Sequence, residues 1–242
     1  MKRAELQYLL LEHFFPPLNA LVRRRLIDIA RTAGKDALMM DVGCRTSPYT
    51  IGVPARFVLT DLPKTTELQE RLYLGLTGAM IQRQYGRRSN VLAILYDDMT
   101  RSSLAAETFD CVVAVEVLEH VEKDGQFVAE VHRVLKRGGS FLMTTPNGDF
   151  VPNTSPDHKR LYGRRDLHDL LAMHFEHVGV EYAIRSGRTF RLGHDSLSLR
   201  KPFRTAWIML SNVVNAIQSS GERIKSQASG AEHLIAVARK QS

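Results

Sequence analysis

The sequence predicts a doubly wound α/β domain built on a mostly parallel sheet. Short, continuously apolar runs rich in Val, Ile, Leu and Phe recur along the chain, which is typical of strands buried on both faces of a parallel sheet. Segments with helical spacing separate most of these runs, as expected where strands and helices alternate. The length of 242 residues suits one such domain, or one domain with an insertion.

Seven apolar runs are predicted to be strands. In chain order they cover residues 37–42, 56–60, 91–96, 109–115, 140–145, 178–184 and 233–239. Helical patterns cover residues 4–32, with a break at two prolines, and then 65–85, 125–135, 165–175 and 203–217. We therefore expect an N-terminal helical cap over residues 1–34 and the main domain over residues 35–242.

The main domain carries a predicted insertion at about residues 186–230. Basic residues dominate its beginning, against the single acid Asp195 before residue 205. The helical pattern that follows places five apolar side chains on one face: Phe203, Trp207, Leu210, Val214 and Ile217. We expect this face to be buried, as a lid on the domain, in a dimer contact, or on an anionic membrane surface. The oligomeric state is otherwise not predicted.

Charge and cysteine content narrow the classes of protein. Lys and Arg number 33 against 26 Asp and Glu, so partners that carry phosphate are permitted but not required. Cys44 and Cys111 form no CxxC pair, which predicts reduced thiols rather than a disulfide framework or a zinc site. Neither a signal peptide nor an apolar run of transmembrane length is recognised. We expect a cytoplasmic protein that can be peripheral to the membrane.

Polar residues close the first five runs, where ligands bind in sheets of this kind. They are Asp41, Asp61, Asp97 or Asp98, Glu116 and Asn147. Gly43, after the first run, would let the backbone approach a ligand. Asp61 would accept hydrogen bonds from ribose hydroxyls, and Asp97 or Asp98 one from an adenine amino group. Together these residues outline an adenosine pocket.

The order LMMDVGC, VLTDLP, YDDM, FDCVVAVEVLEHV and EVHRVLKRGGSFLMTTPN resembles class I S-adenosylmethionine-dependent methyltransferases of the type 11 and 12 kind. The resemblance covers roughly residues 37–185 and the last strand. It implies a seven-stranded sheet with an antiparallel last strand. It also implies that Asp61 binds the ribose, that Asp98 and Met99 hold the adenine, and that the Gly43 loop holds the methionine part. The implied cofactor residues are Asp41, Gly43, Cys44, Asp61, Leu62, Asp98, Met99 and Glu116.

The chain departs from this family in the glycine loop. The family has three alternating glycines there, whereas Arg45 and Ser47 occupy two of the three places here. Arg45 would either cover the carboxylate of the cofactor or block the pocket. A dinucleotide oxidoreductase is disfavoured because the GxGxxG pattern is absent.

An E-x-x-E-H motif after the fourth strand resembles metal-dependent O-methyltransferases that act on small-RNA 3′ ends or on catechol-like intermediates. In the RNA type a second histidine follows a TPN segment, and here His158 follows Thr145-Pro146-Asn147. The resemblance implies a site for a divalent ion such as Mg²⁺ with the ligands Glu116, Glu119, His120 and His158. Alternatively, His158 is a base that acts without metal, or the histidine of the motif only packs.

We expect His158, His120 and Glu116 to be catalytic and Asn147, Tyr162 and Arg160 to bind substrate. The remaining histidines, among them His194 and His233, have no functional context. Basic residues after the fifth strand favour an anionic acceptor, or form a solvated face.

Three functions compete. The first is O-methylation of a small hydroxylated acceptor, anionic or sugar-like. The second is RNA ribose 2′-O-methylation, which is disfavoured because no basic motif is interleaved with aromatic residues. The third is a non-catalytic binding protein.

Overall fold

The structure, a computed structural model, describes residues 2–65, 75–193 and 200–242. It contains one seven-stranded sheet with the order β3-β2-β1-β4-β5-β7-β6. The strands are β1 Leu38–Val42, β2 Arg56–Asp61, β3 Val91–Tyr96, β4 Phe109–Val115, β5 Leu135–Pro146, β6 His177–Arg185 and β7 Ala231–Arg239. Strands β1 to β5 pair in parallel, and β7 runs antiparallel to both β5 and β6. The predicted strand number and the antiparallel last strand are confirmed.

Helices flank the sheet in the described ranges. They are α1 Arg3–Leu11, α2 Pro17–Ala33, α3 Gly78–Arg87, α4 Asp124–Val134, α5 Arg164–Ala172, α6 Arg188–Gly193, α7 Pro202–Ser219 and α8 Glu222–Ser226. The predicted break between the first two helices is a 3-10 turn, Glu12–Phe14, after which Pro17 occupies the first position of α2. Gly34, at φ 98°, ends α2.

The two faces of the sheet are covered by separate apolar clusters. On one face Phe127 of α4 and Leu167 of α5 pack with Phe141 of β5. On the other face Leu26 of α2 packs with Met39 of β1. Because both faces are covered, the central strands are apolar throughout, which is the pattern that predicted the fold. The edge strand β3 is also apolar, but it leaves Leu92, Leu95 and Tyr96 exposed. The boundary at residue 34 stays a prediction, although α2 shares its core with β1.

Two predicted elements differ from the structure. The helical pattern over 65–85 lies partly outside the described residues. Within them, α3 begins at Gly78, and Thr77 caps its N-terminus by accepting a hydrogen bond from Met80 N–H. Strand β5 begins earlier than predicted, at Leu135, and pairs with Phe109 before a register shift. Residues 136–139 read Lys-Arg-Gly-Gly and are not apolar, so the apolar pattern placed the start of this strand too late.

The apolar face of the inserted helix does not pack on the domain as a lid, because Phe203, Trp207, Leu210 and Ile217 are exposed. A dimer contact and an anionic membrane surface stay predictions. Helix α7 instead buries a mostly polar side, with Ile208, Ser211, Asn212 and Asn215 inside. Asn212 Nδ2 donates to the carbonyl of Phe14 at 2.9 Å, and Asn215 Nδ2 donates to that of Arg185 at 2.8 Å. Buried carbonyl groups need donors, and these two asparagines provide them. In the described ranges, no helix combines the length and apolarity that crossing a bilayer requires.

Candidate active site

A cleft of about 520 Å³ opens at the carboxyl ends of the central strands. Eight of the candidate site residues that the sequence indicated line it: Gly43, Asp61, Leu62, Asp97, Asp98, Met99, Glu116 and His120. Asn19 of α2 also lines it, so the N-terminal helices contribute to its wall. The topology brings these residues together because parallel strands end at the same edge of the sheet.

The loop after β1 touches the segment after β4 at Gly43. Its φ is 72°, and a Cβ added there would lie 2.6 Å from Val117 Cγ2. Both the backbone conformation and the space therefore require glycine. Ser47, at one of the two places where the family has glycine, adopts φ 34° and is buried. Ser47 thus keeps the left-handed backbone conformation at this place, although serine tolerates that conformation less well than glycine does.

Asp41 and Cys44 lie beneath this loop and do not line the cleft. Both are fully buried. Tyr49 donates its hydroxyl to Asp41 Oδ1 at 3.0 Å, and burial raises the pKa of Asp41 to about 7. Burial also raises the pKa of Cys44. These two side chains support the loop from below.

Asp61 and Asp98 face the cleft. Burial raises the pKa of Asp61 to about 6, while hydrogen bonds from the backbone N–H groups of Leu62 and Arg45 oppose this rise. Burial likewise raises the pKa of Asp98, but hydrogen bonds from the hydroxyl and backbone N–H of Thr100 outweigh it, so the pKa is lowered. Asp98 therefore remains a charged acceptor over the ordinary pH range.

Glu116 is held in a constrained conformation directly after β4. Its φ is 55°, and its Oε1 accepts a hydrogen bond from Thr144 Oγ1 at 2.8 Å. Its Oε2 lies 3.2 Å from Nδ1 of His233. Burial alone would raise the pKa of Glu116, but the charge of His233 and the hydrogen bonds from His233 and Thr144 outweigh it, so this pKa is lowered. Burial alone would lower the pKa of His233, but the neighbouring Glu116 outweighs it, so this pKa is raised. The two side chains form an ion pair at the sheet edge.

His233 was not predicted to lie in the site. It lies near the start of β7, opposite Pro146 of β5. Because β7 is antiparallel, its beginning lies at the edge where the parallel strands end. The antiparallel last strand, which the resemblance implied, was therefore the signal that could have found it.

Glu119, His120 and His158 come together, as predicted. One potential ligand atom from each lies within 4.8 Å of the others. The rings of His120 and His158 are 5.0 Å apart, and His120 Nε2 is 3.9 Å from Glu119 Oε1. Burial and the nearby Glu116 raise the pKa of Glu119 well above its usual range. Glu116, the fourth predicted metal ligand, is outside this group.

Asp157 contacts the ring of His120 and was not predicted to be a site residue. Its Oδ2 lies 2.7 Å from His120 Nδ1, and its side chain is 7% exposed. Its place beside His158 in the segment PDHKRLY was the only sequence signal. The contact joins the segment after β5 to the segment after β4.

The family model described as a methyltransferase domain matches residues 40–143. A protein of Mycolicibacterium smegmatis described as a "probable S-adenosylmethionine-dependent methyltransferase" is 34% identical over 100 residues, which make up 39% of this chain. The matched part spans 37% of that relative, so the chain covers little more than a third of its length.

Solved structures share the fold. A S-adenosylmethionine-dependent methyltransferase of Thermotoga maritima superposes with a TM-score of 0.57 at 13% identity, over 95% of this chain and 91% of that one. One of Archaeoglobus fulgidus gives 0.56 at 16% identity, over 92% and 94%. The chain therefore has the fold of class I S-adenosylmethionine-dependent methyltransferases, and over residues 40–143 its sequence is similar to a methyltransferase domain.

The three predicted substrate-binding residues do not line this cleft. Asn147 is buried and donates to the carbonyl groups of Ala228 and Ala231. Tyr162 and Arg160 both donate to Oδ2 of Asp124, at 2.8 and 2.7 Å. These contacts hold the segment that carries Asp157 and His158 against the beginning of α4.

A second cleft, of about 420 Å³, adjoins the first. The two share Asn19, Arg45, Thr46 and Pro48. Arg83 and Arg87, four residues apart on α3, are exposed and line the second cleft. The buried Arg88 donates to Thr50 Oγ1 at 2.7 Å. This cleft is basic and lies on the side of the glycine loop.

Proposed function

We propose that this protein transfers a methyl group from S-adenosylmethionine to a hydroxyl group of a small, anionic acceptor. S-adenosylmethionine, when bound, supplies a methyl group on a positively charged sulfur. The chain itself must position the acceptor in line with that methyl group and remove the proton of the hydroxyl.

The first cleft fits this cofactor. Asp61 offers a carboxylate for the ribose hydroxyls, and Gly43 leaves the backbone of its loop free of a side chain. Asp97 also lines the cleft, and its Oδ2 is buried without a hydrogen-bond partner among the described residues. A buried acceptor without a donor is costly unless a ligand satisfies it, and an adenine amino group has the required chemistry.

The observation that carries the proposed chemistry is the contact between Asp157 and His120. A carboxylate beside one ring nitrogen orients the imidazole and stabilises the positive charge that the ring gains with a proton. His120 lines the same cleft as Asp61 and Asp98. We infer that His120 takes the proton of the acceptor hydroxyl and that Asp157 positions it.

The second cleft suits the anionic part of the acceptor. Arg83 and Arg87 line it from one face of α3, and no described acid pairs with either side chain. Guanidinium groups bind carboxylate and phosphate groups in a bidentate manner. The two clefts adjoin each other, because Asn19 and Arg45 line both of them.

The test combines calorimetry with a screen of hydroxylated acceptors, using S-adenosylmethionine that carries a labelled methyl group. His120→Ala and Asp157→Asn should keep the cofactor affinity and lower the transfer rate by at least about a hundredfold, the usual range for a general base. His168→Gln, on the outer helix α5, is the matched control and should transfer normally. Full transfer by Asp157→Asn and His120→Ala would place the base elsewhere.

RNA ribose methylation and pure binding remain the alternatives. RNA binding that weakens steeply with salt, together with transfer to RNA alone, would favour the ribose methyltransferase. Cofactor binding without transfer to any acceptor class would favour the binding protein. No cofactor binding at millimolar concentration would contradict the proposed function as a whole.

A further inference from the structure

Helix α7 presents an apolar stripe to solvent. The exposed fractions are 91% for Phe203, 58% for Trp207, 53% for Leu210 and 68% for Ile217. Their spacing places all four on one side of the helix. Single exposed apolar residues are ordinary, but a contiguous row of large ones marks an interaction surface. We call this row the α7 stripe.

The exposure follows from how α7 is anchored. Its opposite side is held by hydrogen bonds from Asn212 and Asn215 to backbone carbonyl groups. Gly193 of α6 approaches so closely that a Cβ there would lie 2.1 Å from Asn212 Oδ1. Rotating α7 to bury the stripe would break these hydrogen bonds and bring two amide side chains into solvent. The stripe is therefore a fixed feature of the fold.

The charged residues described on α6, on α7 and directly before α7 are basic. Five exposed basic residues lie on α6, on α7 or just before α7: Arg188, Arg191, Arg200, Lys201 and Arg204. The described part of the segment 186–221 contains no acid. Two copies of the chain joined through the stripe would bring these like charges close together, which opposes their association. An anionic surface complements the segment instead.

We propose that the α7 stripe docks the protein on anionic membrane surfaces, with α7 lying in the plane of the interface. An amphipathic helix with Trp and Phe on one side and basic residues along it binds such surfaces through buried apolar area and attraction to anionic lipids. Phe203 and Trp207 would enter the boundary between headgroups and acyl chains. Arg200 and Lys201, directly before the helix, would contact the lipid phosphates. This inference is independent of the proposed methyl transfer.

The test uses the emission of Trp207, which is the single tryptophan of the chain. The full chain is mixed with vesicles of phosphatidylglycerol and phosphatidylcholine, or of phosphatidylcholine alone. We expect a blue shift and co-flotation with the anionic vesicles, reversal of both in high salt, and neither effect with neutral vesicles.

Two double variants separate the apolar contribution from the charged one. Phe203→Ser with Leu210→Ser, and Arg200→Glu with Lys201→Glu, should each weaken vesicle binding by about tenfold or more. All four positions are exposed, so circular dichroism should be unchanged. Met173→Ser is the matched control, since Met173 is 70% exposed next to α5 on the other face of the sheet, and it should bind like the unmutated chain.

Two outcomes would overturn the inference. One is an unchanged Trp207 emission and no flotation at any content of phosphatidylglycerol. The other is a blue shift that grows with protein concentration without vesicles and coincides with dimers in light scattering that the serine variant abolishes. The second outcome would assign the α7 stripe to contact between two copies of the chain.

Discussion

Asp61 is the residue whose role in cofactor binding can be tested most directly. Its carboxylate faces the cleft and is oriented by two backbone N–H groups. Asp61→Ala should weaken binding of S-adenosylmethionine by about 1.5 to 3 kcal/mol, because charge-assisted hydrogen bonds to the ribose are lost. Calorimetry on this variant and on the exposed control Asp36→Ala would measure the difference. Equal affinities would show that Asp61 does not contact the cofactor.

Asp41 should make the stability of the fold depend on pH. Its pKa is about 7 in the folded protein, against 3.8 for an ordinary aspartate. Between these values the folded state holds a proton that the unfolded chain has released, so the free energy of unfolding decreases as the pH rises through this window. Asp41→Asn keeps an acceptor for Tyr49 without the charge.

The gain in stability from Asp41→Asn should therefore be about 2.5 to 3 kcal/mol larger at pH 8 than at pH 5, because the window from pH 5 to the folded pKa spans two pH units at about 1.4 kcal/mol each. Urea unfolding of both proteins at the two pH values measures this. A gain that is equal at both would mean that Asp41 is ionised in the folded protein at pH 5.

At the scale of the element, α7 should depend on its buried asparagines. Asn212→Ala leaves the carbonyl groups of Phe14 and Gly193 without their donor. We expect the free energy of unfolding to fall by about 1 to 3 kcal/mol, the cost of leaving buried acceptors unsatisfied. Urea unfolding compares this variant with Gln218→Ala, an exposed amide on the same helix, which should change the stability little. Similar losses for both would argue against anchoring through the polar side.

At the scale of the whole molecule, the sheet brings Glu119 and His120, after β4, next to His158, after β5. We expect methyl transfer to persist in the presence of a chelator. The contact between Asp157 and Nδ1 of His120 suits a base that acts without metal, and the raised pKa of Glu119 means that an ion would have to compete with a proton for this carboxylate. The measurement is labelled methyl transfer with and without EDTA, followed by addition of Mg²⁺ or Mn²⁺. Loss with the chelator and recovery with the ion would show that the three side chains bind a metal, as the E-x-x-E-H resemblance implies.

The strands and the residues that end them could be predicted from local sequence. An apolar run and the acid after it are neighbours in the chain, and parallel strands place every such acid at one edge. The pattern alone was therefore sufficient to assign Asp61, Asp97 or Asp98, and Glu116 to the cleft. The same logic located the glycine loop and brought His120 close to His158.

The pairing of side chains at that edge depends instead on tertiary contacts. His233 meets Glu116 because β7 is antiparallel and lies beside β5, and Asp157 reaches His120 through a loop whose path no periodicity describes. The orientation of α7 has the same origin, because its asparagines satisfy carbonyl groups that belong to distant segments. A helix usually buries its apolar face. In α7 the hydrogen bonds of the polar side hold that side against the domain and leave the apolar side exposed.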